Sequence, residues 1–198
     1  MKHIILIIGE TMSAINKINI QKNINTSCDL LLIGLKDGVS NPSISSEIPS
    51  ELKGQIKTII KLDEDFAKSQ KRTVIYSEGS LKRVGLYGYR NLKTNDEFRS
   101  LAAKIISYVN TNRFKAISID LKSFGVTSEV RLQAFCEGLV LGSYEFLNYK
   151  PKSKAKPLDA ITLIGDANKS TIKKAVAIGS GVCYGRDLSN HPPNILTP

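Results

Sequence analysis

The chain has 198 residues, 41% of them hydrophobic and 23% charged, proportions that place it among globular domains and exclude a disordered or low-complexity polymer. Twenty-eight Lys and Arg against 18 Asp and Glu leave a net charge of +10, which admits phosphate-bearing or acidic partners. No apolar run approaches the roughly eighteen residues of a membrane span.

From the N-terminus, Ile4–Ile8 reads as a buried strand. Its apolar run is too short for a secretory signal, and Glu10 follows it without a small-residue cleavage site. Further strands are expected at Asp29–Leu35, Thr73–Tyr76, Arg83–Tyr89, Ala116–Asp120 and Ala160–Ile164. Several are apolar on consecutive residues, the pattern of a sheet covered on both faces. Helices are expected at Pro49–Leu62, Asn95–Asn110, Ser128–Leu147 and Ser170–Leu188, with a loop over residues 36–50 that carries Gly38, Pro42 and Pro49. Strands alternating with helices predict an α/β fold with a mixed, mostly parallel central sheet flanked by helices.

The helix spacings carry detail. Phe98, Leu101, Ala102, Ile105, Ile106 and Val109 make one apolar face, and Thr94 with Glu97 makes a capping box before it. Leu132, Phe135, Cys136, Leu139, Val140, Ser143, Phe146 and Leu147 repeat the pattern. Within that helix Gly138 and Gly142 each cost roughly 1 kcal/mol relative to alanine, so a close neighbour is expected there. The last helix carries Ile172, Ala175, Val176, Gly179, Val182 and Cys183 on one side. Its other side, Ala177, Ile178, Ser180, Gly181 and Tyr184, is also small or apolar. A helix with two non-polar faces needs two neighbours.

Candidate chemistry is sparse. Three cysteines, Cys28, Cys136 and Cys183, are odd in number and far apart, as for reduced thiols in a cytosolic protein. Two histidines, His3 and His191, with no Cys-x-x-Cys, do not build a zinc site. Neither histidine stands at a fixed offset from a nucleophile. Gly179–Gly185 has its third glycine one residue late for a dinucleotide loop and lies inside a helix pattern. Gly85–Arg90 reads as a strand-end turn, Asp63, Glu64 and Asp65 as a solvated helix end, and Lys150, Lys152, Lys154 and Lys156 as a basic loop between prolines. No catalytic and no metal-binding residue is assigned.

Two segments carry a resemblance. Arg186, Asp187, Leu188, Asn190, Pro192, Pro193, Asn194, Leu196, Thr197 and Pro198 resemble the signature that joins the two domains of leucyl (cytosol) aminopeptidases, peptidase family M17. About forty residues upstream, Ala134–Tyr144 with Phe146, Tyr149 and Lys150 is similar to a helix of the same family, in the same order. The resemblance implies a macro-domain-like N-terminal domain over residues 1–167, then a connecting helix and linker over residues 168–198. It also implies a C-terminal catalytic domain beyond Pro198, in which two divalent metal ions, zinc or manganese, hydrolyse N-terminal peptide bonds. None of that domain's motifs occurs in this sequence. The implied parent is a cytoplasmic, metal-dependent hexamer, and this piece, inactive by itself, has a structural role between subunits and beside the catalytic domain. The alternatives are a nucleic-acid-binding module, motivated by the charge, and a macro-like nucleotide-binding module.

Overall fold

Runs such as Leu30-Leu31-Leu32-Ile33 turn successive side chains to opposite faces of a strand, so both faces need cover. In the computed structural model, which describes residues 15, 17–24, 27–42, 44, 45, 47–146, 149 and 158–192, both faces have it. Six strands, β1 (Ile18–Gln21), β2 (Leu30–Lys36), β3 (Arg72–Tyr76), β4 (Arg83–Tyr89), β5 (Ala116–Asp120) and β6 (Ala160–Ile164), form one sheet in the order β1-β6-β5-β2-β4-β3. All neighbours are parallel except β3 and β4. The fold is therefore the expected mixed, mostly parallel α/β layer structure.

Helix α1 (Ser50–Leu62) covers one face, where Leu52 and Ile56 meet Leu31, Ile33, Val84 and Leu86. Helices α2 (Asn95–Thr111), α3 (Glu129–Gly142) and α4 (Lys169–Asn190) lie on the other, over Leu30, Leu32, Ile117, Ile119, Ile161 and Leu163. The six expected face residues of α2 are all buried. Its capping box is complete: the Glu97 amide donates to Thr94 Oγ1, and the Thr94 amide donates to Glu97 Oε2. Hydrogen bonds from the Thr94 and Lys93 amides hold the Glu97 carboxyl below its usual range.

Two expectations are refined, and two others fall outside the described residues. The Ile4–Ile8 strand lies outside the described residues, as do the lysines of residues 150–157. Strand β1, half polar and at the sheet edge, was not legible as a strand. Helix α3 ends at Gly142 rather than Leu147, because the amide and hydroxyl of Ser143 both turn back to the Val140 carbonyl. On α4 the buried stripe is Ile172, Ala175, Gly179, Cys183 and Asp187. That stripe advances mainly by four residues, which leaves Val182, expected on the same side as Cys183, outside it and 44% exposed.

Candidate interdomain joint

The glycines of α3 find their neighbour in α2. A Cβ on Gly138 would run into the Arg99 carbonyl, and one on Gly142 would stand 2.5 Å from the Ala103 Cα. Backbone contact this close keeps α3 rigid against α2. Beside it, Glu137 is buried and takes Arg99 Nε at 2.6 Å and Gln133 Nε2 at 2.7 Å. On the far side of α3, a Cβ on Gly179 of α4 would lie 2.8 Å from Val140.

At the end of this seam the two motif segments meet. Tyr144, two residues past α3, donates its hydroxyl to Asp187 Oδ1 at 2.9 Å and accepts from Asn190 Nδ2 at 3.0 Å. Arg186 sets its guanidinium 5.6 Å from the centre of the Tyr144 ring and donates to the Leu141 carbonyl. His191 packs edge-on to Phe146 at 5.4 Å, and its Nδ1 lies 2.8 Å from Tyr149 Oη. Desolvation, with the carboxylate of Asp187 nearby, raises the Tyr144 phenol. Asp187 is 5% exposed. A buried carboxylate needs a donor, and Tyr144 supplies it.

Of the expected motif residues, Arg186, Asp187 and Asn190 thus engage the upstream segment. Leu188 is half-buried in the same turn of α4. Pro192 follows the helix end at His191, while Pro193, Asn194, Leu196, Thr197 and Pro198 lie outside the described residues. Among the described residues nothing covers the outer face of α4. Ile178, Gly181, Val182 and Gly185 follow i, i+3, i+4, i+7 along one stripe, Ile178 and Val182 are exposed, and a Cβ on Gly181 or Gly185 would meet nothing within 4 Å.

Other candidate sites are filled or mixed in character. Strands β2 and β5 pair only over Leu30–Leu32, and the chain leaves them for opposite faces of the sheet, β2 for α1 and β5 for α3. Open α/β sheets bind ligands at such a switch point. Here the Gly34 amide donates to Ser123 Oγ at 2.9 Å, the buried Phe124 ring abuts Gly34, and Tyr89 Oη donates to the Ser123 carbonyl at 2.8 Å. Burial pushes the Tyr89 phenol up to about 12. Gly88 of the Gly85–Arg90 segment is taken up by close packing on the Phe66 carbonyl. A cleft of about 430 Å³ at the end of β2 is lined by Lys36, Lys57 and Lys61 together with Asp37, Asp63 and Glu64. Asp63 is held by Lys71 at 2.7 Å, so the acidic triplet is only partly solvated.

Cys136 and Cys183 are buried free thiols and Cys28 is half-buried. Burial pushes the Cys136 thiol up to about 12, so it stays protonated and unreactive at neutral pH. Among the described residues no group of three or more His, Cys, Asp or Glu side chains could hold a metal ion. The described residues do not fit the divalent ions that the resemblance implies.

The model of the cytosol aminopeptidase family N-terminal domain matches residues 32–153. This chain belongs to that family and is similar to its N-terminal domain. The probable cytosol aminopeptidase of Roseiflexus castenholzii is 31% identical over 193 residues, covering 88% of this chain and 36% of that protein. Leucine aminopeptidase 1 of Arabidopsis thaliana is 30% identical over 188 residues, covering 86% of this chain and 36% of the relative. The chain thus spans about a third of the curated relatives it matches. Among solved structures, a mutant tomato leucine aminopeptidase superposes with a TM-score of 0.70 at 23% identity, covering 96% of this chain and 42% of that one. The bottromycin maturation enzyme BotP in complex with Mn gives 0.62 at 20% identity, covering 87% and 34%. At these identities the structural likeness speaks for the fold. The matched region takes in α3 and ends before β6 and α4, so the last-turn motif of α4 lies past it. No described helix of this aminopeptidase-family domain is long and apolar enough to cross a membrane.

Proposed function

We propose that the chain is the non-catalytic N-terminal domain of a metal-dependent leucyl aminopeptidase, and that α4 is the element on which a catalytic domain seats. The open stripe Ile178–Gly181–Val182–Gly185 carries this reading, because it lies on the helix whose last turn holds the family motif. A helix with an apolar outer stripe and two glycines on it accepts a close-packed neighbour. The Tyr144–Asp187–Asn190 knot then sets the angle at which the chain leaves α4 toward that neighbour.

In the parent, two zinc or manganese ions held by the other domain would supply the activated water for removing N-terminal residues from peptides. The parent would act in the cytoplasm as a hexamer, to which this domain contributes subunit contacts. The role of the present residues is to position, not to react.

The test is the purified chain with a leucyl chromogenic substrate and added zinc or manganese. No turnover is expected, and metal-dependent turnover overturns the non-catalytic assignment. A second reading, nucleic-acid binding, has the net charge of +10 in its favour. Duplex DNA titrated at rising salt decides it, since phosphate binding must weaken steeply with salt. The packed crevice between β2 and β5 argues against a nucleotide site, and calorimetry with ADP-ribose is expected to give no heat of binding.

A further inference from the structure

The sheet ends on β3, and among the described residues nothing pairs with its outer edge. Which backbone groups face outward follows from two hydrogen bonds. The Ser77 amide donates to the Lys82 carbonyl at 3.0 Å, and the Gly88 amide donates to the Lys71 carbonyl at 2.9 Å. Lys71 and Ser77 therefore point their polar groups at β4. By the alternation of an antiparallel ladder, so do Thr73 and Ile75. The N–H and C=O groups of Arg72, Val74 and Tyr76 are left facing out.

Native sheets usually guard such an edge with proline, charged side chains, a bulge or a cover. The sequence Arg72-Thr73-Val74-Ile75-Tyr76 has no proline, its one charge, Arg72, is turned onto the Tyr87 and Tyr108 rings, and the rest are strand-forming residues. Its two ends are complementary. Tyr76 is 72% exposed, and the Arg72 guanidinium already lies 4.7 Å from the centre of the Tyr87 ring and 5.5 Å from that of Tyr108.

We propose that β3 pairs antiparallel with β3 of a second copy of this chain, about a two-fold axis at Val74, joining two sheets into one. In that register Val74 faces Val74, Thr73 faces Ile75, and Arg72 faces Tyr76. The three outward residues of each copy then exchange hydrogen bonds, whereas a slip of two residues in either direction leaves one of them unused. Each Tyr76 ring meets the guanidinium of Arg72 across the axis, adding a third aromatic to that cation, and no like charges stand directly opposite. This deepens the subunit-contact part of the reading above by naming the contact surface.

Two measurements test it. In sedimentation across a concentration series, the chain is expected to move from monomer toward dimer. Val74→Pro removes the outward donor while sparing the ladder to β4, and is expected to weaken association by about tenfold. Because a proline could perturb the strand, Val74→Cys is tested on a Cys28→Ser background. Paired residues at a hydrogen-bonded position lie about 5.5 Å apart between Cα atoms, within disulfide reach. Oxidation is expected to give a covalent dimer with Val74→Cys and little with Thr73→Cys. A chain that stays monomeric at millimolar concentration overturns the proposal. Self-association without the cross-link in Val74→Cys also overturns it, and leaves the subunit-contact role to another surface. Loss of that association in Val182→Glu would identify the other surface as the α4 stripe.

Discussion

Two pairs of glycines, each four residues apart on a helix, have opposite surroundings. Gly138 and Gly142 of α3 press on the backbone of α2, where a Cβ would collide with Arg99 or Ala103. Gly181 and Gly185 of α4 have the same spacing, and a Cβ on either would meet open space. Helical glycine is costly unless a neighbour comes close. In α3 the neighbour is in the chain; on α4 no described residue takes that place.

That contrast can be broken by substitution. The largest effect is expected at the filled pair: Gly138→Ala or Gly142→Ala should destabilise by roughly 3 kcal/mol, since the atoms in the way are backbone. Urea unfolding monitored by circular dichroism reads this, and a loss under about 1 kcal/mol would mean α2 and α3 can shift enough to admit a methyl group. Next, Glu137→Ala leaves Arg99 without its buried partner in the same seam. Because the Arg99 side chain is 36% exposed and can turn to water, the expected loss is about 2 kcal/mol, below that of a fully buried pair. Tyr144→Phe takes the hydroxyl donor from Asp187 and should cost about 1 kcal/mol. Amide hydrogen exchange should then speed up in the last turn of α4 and leave α2 unchanged.

The open pair should respond with the opposite sign. Gly181→Ala and Gly185→Ala are each expected to stabilise the isolated chain by about 0.5–1 kcal/mol, because helix propensity improves and nothing is displaced. The same changes should weaken pull-down of a separately expressed catalytic domain of the parent enzyme. If they destabilise the chain alone, the outer face of α4 is already covered.

The sequence patterns that succeeded are those in which one element decides its own fate. The capping box at Thr94, the face of α2 and the consecutive apolar run of strand β2 are local, and each is found where expected. What stayed hidden depended on distant residues. Strand β1 exists because β6 offers an edge, and Ile-Asn-Ile-Gln has too little apolar content to announce itself. Buried Glu137 sits among apolar neighbours and makes sense only with Arg99, 38 residues earlier. The motif segments were visible through resemblance, but neither shows alone that Tyr144 and Asp187 touch. The turn that ends α3 at Ser143 was masked by Phe146, which keeps the helical spacing while serving the contact with His191.

The strand order also sets a schedule for folding. β1 lies against β6, about 140 residues later in the chain. On a ribosome moving at roughly 5–20 residues per second, β1 must wait many seconds for its partner to emerge. During that interval β2 through β5 can assemble, while the earliest described strand has no place to dock. Closing so long a loop is also slow in refolding, since contacts distant in sequence form against a large entropy. The last step in making this sheet is therefore the addition of its first described strand.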